Sequence, residues 1–229
     1  MARRMSFEFG EWYHCYNRGV DKRKIFENES DANRFLMLLY LANSTNPVQL
    51  FHDENPGLKK ALAAERGPQI VAVGAYCLMP NHYHLLLKEI VDDGITSFMR
   101  KIGTAYTMYF NRKYGRTGHL FSGPFRAKRI GTDRYFQQAL RYIHCNPAEI
   151  YEGGWKVGKV RNIASLERKL VDFPYSSLKS FVGGGIAHPI LSRDGLELAE
   201  KVSASAMLRD ARDYYASQMK PDEVRPHRV

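Results

Sequence analysis

Apolar positions gather first in Glu11–Val20, EWYHCYNRGV, which reads as a short aromatic strand ending at Arg18-Gly19. ESDANRFLMLLYLANST follows, with Ser30 or Asp31 as a cap and Phe35, Leu38, Leu39 and Leu41 on a helical period. Two Asn-Pro steps and a Gly-Pro then mark a loop holding one short helix near Leu58–Glu65. The continuous apolar run Ile70–Leu78 predicts a buried strand, Pro80-Asn81 a turn, and His82–Lys88 its hairpin partner.

From Gly94 a long helix is predicted to about Lys113, with Phe98, Ile102, Tyr106 and Tyr109 on one face. YGRTGHLFSGPF is a Gly-rich connection and RAKRI a short basic strand. Thr132 should cap a third helix that ends at Asn146, because Pro147 disfavours helix in the residue before it. The order strand, helix, strand, strand, helix, strand, helix points to a ferredoxin-like α+β fold: one antiparallel sheet with helices packed on one side. Past Tyr151 the pattern weakens, with loop-like GGWKVGK, DFPYSS and FVGGGIAHP and a helix expected near Gly195–Met219. The expected organisation is a core over 1–150 and a C-terminal extension over 151–229 that is loop-rich, then helical, and available to contact a partner.

Composition narrows the class. With 44% hydrophobic and 12% aromatic residues the chain can fill a core. No apolar run approaches the ~20 residues of a membrane span, and MARRMSFEFGEWYHC lacks the apolar stretch of a signal peptide. The three cysteines form no CxxC pair, which suits free thiols in a reducing cytoplasm.

Charge changes the picture more. The net charge is +10, and the segment from Ile95 to Arg141 alone carries ten basic residues against Asp133. One basic block in a nearly balanced chain looks like the footprint of a polyanion. On that reading the candidate DNA contacts are Arg18, Arg112, Lys113, Tyr114, Arg116, His119, Arg126, Lys128 and Arg129. Tyr109, Phe110, Tyr114, Phe121 and Phe125 are interleaved among them, able either to stack unpaired bases or to fill the core.

The candidate chemistry sits in CLMPNHYHLLLK. Residues two apart on a strand share a face, so His82 and His84 present two imidazoles together while Tyr83 and Leu85 point the other way. Two imidazoles alone suit zinc or copper. Completed by an amide oxygen, water and a phosphate, they suit magnesium or manganese. In FQQALRYIHCNP, Tyr142 and Asn146 are four apart and share a helix face, so Asn146 can offer a carboxamide oxygen with Tyr142 one turn behind it.

YNRG after the first strand, MPNHYHLLL, YFNRKYGRTGHLFSGPF, RYIHCNP and, more faintly, FPYSS occur together in this order. In these motifs the chain resembles the HUH single-tyrosine transposases, and closest the REP-associated tyrosine transposases of bacteria, over about residues 10–180. The resemblance implies a metal-dependent endonuclease and strand-transferase acting on single-stranded DNA near palindromic hairpins. It places the metal ligands at His82, His84 and Asn146, the tyrosine nucleophile at Tyr142, and Mg²⁺ or Mn²⁺ as cofactor. Tyr83 stands where an aliphatic residue is more usual in the family, and Pro124 where a basic residue is frequent. The expected partner is single-stranded or hairpin DNA, with no membrane, and monomer and homodimer are equally open. Tyr135, two turns before Tyr142, is the nearest rival tyrosine on that helix. A hairpin-binding protein of the same fold without catalysis is the alternative; a phosphohydrolase of alternating histidines would want a third at position 86, which is Leu.

Overall fold

The computed structural model describes residues 6–47, 57–157, 159–182, 187–199 and 206–211. Four strands form one antiparallel sheet: β1 (Trp12–Arg18), β2 (Val71–Met79), β3 (His82–Glu89) and β4 (Arg126–Ile130), in the spatial order β2-β3-β1-β4. This is the strand order of a ferredoxin-like sandwich, with the β2–β3 hairpin closing at Pro80-Asn81 so that Met79 pairs with His82. Helices α1 (Glu29–Leu41) and α3 (Gly94–Lys113) make the two crossovers, and α2 (Gly57–Leu62) packs against α1.

Strand period 2 divides the sheet into two apolar faces. Tyr13, Cys15, Val73, Tyr76, Tyr83, Leu85 and Leu87 meet Phe35, Leu38 and Leu39 of α1 and Phe98, Ile102 and Tyr106 of α3. Trp12, Ala72, Ala75, Cys77, Leu86 and Ile130 point the other way. They meet Phe136, Leu140 and Ile143 of α4 (Asp133–Cys145). The crossover helices thus share one side of the sheet as expected, and α4 adds a layer on the other. The physical reason is that β2 is apolar on both faces and β3 adds Leu86 to the second, so a second layer is required. Burying a Phe or Leu there contributes roughly 1.5–3 kcal/mol each.

The start of α1 differs from expectation. Asn28 is the cap, its side chain accepting from the Asp31 N–H, while Ser30 and Asp31 lie inside the first turn. Asp31 turns inward instead, its side chain fully buried. Thr132 caps α4 as expected, accepting from the Tyr135 N–H at 3.2 Å.

Beyond α4 come α5 (Ala148–Tyr151), α6 (Ile163–Val171) and α7 (Arg193–Leu198). β2 is an edge strand, yet all nine of its residues are buried. The following chain supplies what an edge strand lacks, partners for its outward backbone groups. Leu78 N–H donates to the Tyr175 carbonyl at 2.9 Å, and the Tyr76 N–H to Ser177 Oγ at 3.0 Å. Val73 N–H donates to Ser192 Oγ at 2.8 Å. α7 approaches so closely that a Cβ on Gly195 would lie 2.5 Å from the Gly74 Cα, where β2 bulges. Ser177 Oγ also bonds His144 Nε2 at 2.8 Å, tying α4 to the same edge.

The helix expected near Gly195–Met219 is shorter than predicted where it is described: α7 ends at Leu198 and 206–211 are helical, while the remainder lies outside the described residues. Among the described residues no helix is long and apolar enough to cross a membrane. Cys15, Cys77 and Cys145 are all free and buried.

Candidate functional site

The sheet register assembles the site. Tyr16 pairs with Arg126 on one side and His84 on the other, and Arg18 pairs with His82. Two rows of side chains therefore cross the sheet on the α4 face, at the end where β1 leaves it. The hairpin tip is held there because the Asn81 carbonyl accepts from the Gly19 N–H at 2.9 Å and the Pro80 carbonyl from the Ile25 N–H at 2.8 Å. α4 brings Tyr142 across this face, its ring edge-on to His84 at 5.3 Å and to His14 at 5.5 Å between centroids.

The result is a cleft of about 430 Å³ lined by Tyr16, Asn17, Arg18, His82, His84, Ser122, Arg126, Tyr142, Asn146, Glu149 and Lys156. His82, His84, Tyr142 and Asn146 meet here, as do Arg18 and Arg126 of the candidate DNA contacts. Arg112, Lys113, Tyr114, Arg116, His119, Lys128 and Arg129 do not line it.

Several of those residues have other work. Lys113 Nζ lies 2.6 Å from Asp31 Oδ1, and Tyr114 donates to Asp31 Oδ2 at 2.7 Å, so both lock α3 to α1. Arg129 is clasped by Glu8 at 2.9 Å and Glu11 at 3.3 Å, and Arg116 donates to Asn111 at 2.9 Å. Phe110 is buried, and Tyr109, Tyr114, Phe121 and Phe125 pack against the same core, so the interleaved aromatics serve the fold. Arg112 and His119 are exposed, and Lys128 sits over the Tyr135 ring at 5.2 Å.

Protonation follows from burial. Burial, with Arg18 adding to it, lowers the His82 pKa to about 4. Burial also drives His84 well below its ordinary value, with His14 and His82 contributing, and lowers His14 to about 4, helped by Lys128. All three imidazoles are neutral near pH 7, the form that coordinates a cation.

The lone pairs point usefully. Asn81 Nδ2 donates to the Lys22 carbonyl at 3.2 Å, which leaves its Oδ1 to accept from His82 Nδ1 at 2.6 Å. His82 Nε2 is thereby left unprotonated. His84 Nε2 is buried and has no hydrogen-bond partner among the described residues. Asn146 Nδ2 donates back to the Tyr142 carbonyl at 2.9 Å, so its Oδ1 is the atom available. Two imidazole nitrogens and one amide oxygen fit a divalent cation whose other ligands are water and phosphate oxygens. Among the described residues no three His, Cys, Asp or Glu side chains group to hold a metal.

A family model for IS200-like transposases matches residues 10–146 of this chain. The chain belongs to that family. Among curated proteins no sequence matches it. Among solved structures, a REP-associated tyrosine transposase bound to a REP hairpin is similar at a TM-score of 0.49 and 16% identity, covering 88% of this chain and 98% of that one. The matched residues of this IS200-like transposase span the whole sheet and end at Asn146, the last of the candidate ligands.

Sequence reasoning did not assign His14, Tyr16, Asn17, Glu149 or Lys156. His14 and Tyr16 carried a usable signal, since they alternate with Tyr13 and Cys15 on a strand and so share one face. Glu149 and Lys156 carried none. They pair with each other at 2.8 Å and line the cleft from the chain that follows α4. Tyr16 also displaces Tyr135 as the rival hydroxyl, because Tyr16 lines the cleft and Tyr135 does not.

Proposed function

We propose that this IS200-like transposase cleaves and rejoins single-stranded DNA beside a hairpin, through a 5′-phosphotyrosine on Tyr142. The observation that supports this most is the meeting of Tyr142, His82, His84 and Asn146 in one cleft flanked by Arg18 and Arg126. The phosphodiester enters against the two guanidiniums, which bind phosphate without reading sequence. Tyr142 Oη attacks phosphorus and the bond to the 3′ oxygen breaks. The phenolic proton passes to solvent, and the departing 3′ oxygen takes one up. Since the phosphotyrosine retains the energy of the bond, attack by another 3′ hydroxyl reverses the step and joins strands.

A tyrosine hydroxyl titrates near 10 in model peptides, so at pH 7 about one in a thousand is ionised, a deficit of roughly 4 kcal/mol. A Mg²⁺ or Mn²⁺ ion held by His82, His84 and Asn146 would supply the charge stabilisation that offsets it, by polarising the scissile phosphate. The Tyr142 ring is held by its edge contacts with His84 and His14, which limits the orientations its hydroxyl can take. In this reading residues 1–150 carry the chemistry. The residues that follow brace the β2 edge and lend Lys156 to the cleft.

The test is incubation with a labelled single strand carrying a palindrome, with and without Mn²⁺, followed by denaturing electrophoresis. A protein–DNA adduct that needs the ion is expected. Tight hairpin binding with no adduct under any ion would instead identify a binding protein of the same fold.

A further inference from the structure

We infer that His14 is a positioning residue for His84: it accepts a hydrogen bond from His84 Nδ1 and so leaves His84 Nε2, beside the cleft, as a bare lone pair. The inference rests on the metal-binding reading above. His14 lies on β1 opposite Leu86, two residues from Tyr16, which pairs with His84, so both imidazoles occupy the α4 face. His14 Nε2 and His84 Nδ1 are 2.8 Å apart, a hydrogen bond between two neutral rings that share one proton.

That proton has two candidate owners. If His14 Nε2 carried it, His84 would be protonated at Nε2, a buried position with no acceptor. Either tautomer leaves Nε2 unpartnered, but a proton on it would block coordination. If His84 Nδ1 carries it, Nε2 is left as a bare lone pair, which is what a ligand needs. His82 shows the same arrangement by a separate route, because Asn81 Oδ1 can only accept. The two candidate ligands are thus each held from behind by an acceptor, one on the hairpin turn and one on the neighbouring strand. The His14 ring has little freedom to turn away, being 5.1 Å from the Tyr16 ring and 5.5 Å from the Tyr142 ring. Acceptors of this kind behind a ligating histidine fix its tautomer, and losing one typically costs about 10–100-fold in metal affinity.

Two measurements on the full chain test this. In the metal-free protein, ¹⁵N NMR of the histidine rings should report His84 protonated at Nδ1 and bare at Nε2; the opposite tautomer would overturn the inference. In Mn²⁺ titrations, His14→Phe keeps a ring and removes the acceptor, and should bind about 10–100-fold more weakly. His14→Gln, whose Oε1 can accept, should recover most of the loss. Hairpin binding without metal should be unchanged in both. A His14→Phe protein with wild-type Mn²⁺ affinity refutes the assignment. Should that variant not fold, the wild-type tautomer and the His14→Gln titration still decide. A wild-type chain that binds no Mn²⁺ at all would sink the metal reading alone, since the tautomer is measured without metal.

Discussion

Replacing Tyr142 with Phe should separate chemistry from binding, and the structure sets the size of each effect. The Tyr142 ring is half-buried and edge-on to His84 at 88° and to His14 at 66°. Phe retains both contacts and loses one hydroxyl, whose net contribution to stability is about 0.5–1.5 kcal/mol at most. For a chain of this size that corresponds to a Tm shift below roughly 6 °C. The proposed ligand set on His82, His84 and Asn146 is untouched, so Mn²⁺ affinity and hairpin affinity should match wild type. The covalent adduct should vanish, because the substituted ring carries no oxygen to bond phosphorus. Asn146→Ala is the contrast. Asn146 is 2% exposed, and its amide bonds the Tyr142 carbonyl, so its loss should cost about 1–3 kcal/mol and weaken Mn²⁺ binding together with cleavage. Adduct yield is read on denaturing gels, affinity by calorimetry, and stability by thermal unfolding. An adduct that still forms at wild-type yield in Tyr142→Phe refutes the assignment. Tyr16, whose ring lies 5.8 Å from that of His84, would then be the hydroxyl to remove next.

Other consequences follow from how the basic residues are used. Arg18→Ala and Arg126→Ala should each flatten the salt dependence of single-strand binding by about 0.7 in log–log slope, whereas Lys113→Met should leave the slope alone; equal slopes for all three would disprove the division. Lys113→Met should instead destabilise the fold by about 1–3 kcal/mol in denaturant unfolding, since it strips a donor from buried Asp31. Burial raises the Asp31 pKa, but hydrogen bonds from Lys113, Tyr114, the Glu27 N–H and Tyr109 outweigh it and hold the value below the carboxylate range. That stability is present above about pH 3.9 and is lost as pH falls through the lower folded value, so Asp31→Asn should be less acid-sensitive than wild type in that window. His144 is buried with its pKa lowered to about 3, so its neutral form stabilises the fold fully above pH 6.5 and decreasingly from there down to pH 3. His144→Gln should reduce the fall in stability over that range by up to about 1.4 kcal/mol per pH unit, and an unchanged slope would show that His144 is not titrating on unfolding.

The fold was legible where one element's own pattern decides it. The α3 boundaries, Gly94 and Lys113, follow from periodicity, and the hairpin follows from Pro80-Asn81 between two apolar runs. The position of α4 was not legible in the same way. Its stripe of Phe136, Leu140 and Ile143 says that one face is buried but not against which side of a sheet. The answer lay in Ala72, Ala75, Cys77 and Leu86, the second apolar face of β2 and β3. A strand that is apolar at every position needs cover on both sides, and only one side was accounted for by the crossovers. The edge position of β2 was hidden for a related reason. Its backbone is satisfied by Tyr175, Ser177 and Ser192, which lie far along the chain in segments that read as loops.

The site divides along the same line. His82 with His84, and Tyr142 with Asn146, could be paired because each pair sits on one element whose period is known. His14 could not be attached to them from the sequence, because the β1–β3 register that sets it beside His84 spans 70 residues. The basic block divides for a complementary reason: charge counted along the chain says nothing of direction. Within it Lys113 turns to Asp31, Arg129 to Glu8 and Glu11, and Arg141 to Asp210. Arg126 escapes that fate because the β1–β4 register sets it opposite Tyr16, and Tyr16 is opposite His84. The same row that delivers a candidate metal-binding nitrogen therefore delivers a candidate phosphate-binding guanidinium. Arg18 and His82 repeat the arrangement one row further along. With two such rows at one end of the sheet, a helix carrying Tyr142 and Asn146 across it brings the proposed nucleophile, ligands and phosphate clamps together, and α4 lies on the face that the crossovers leave open.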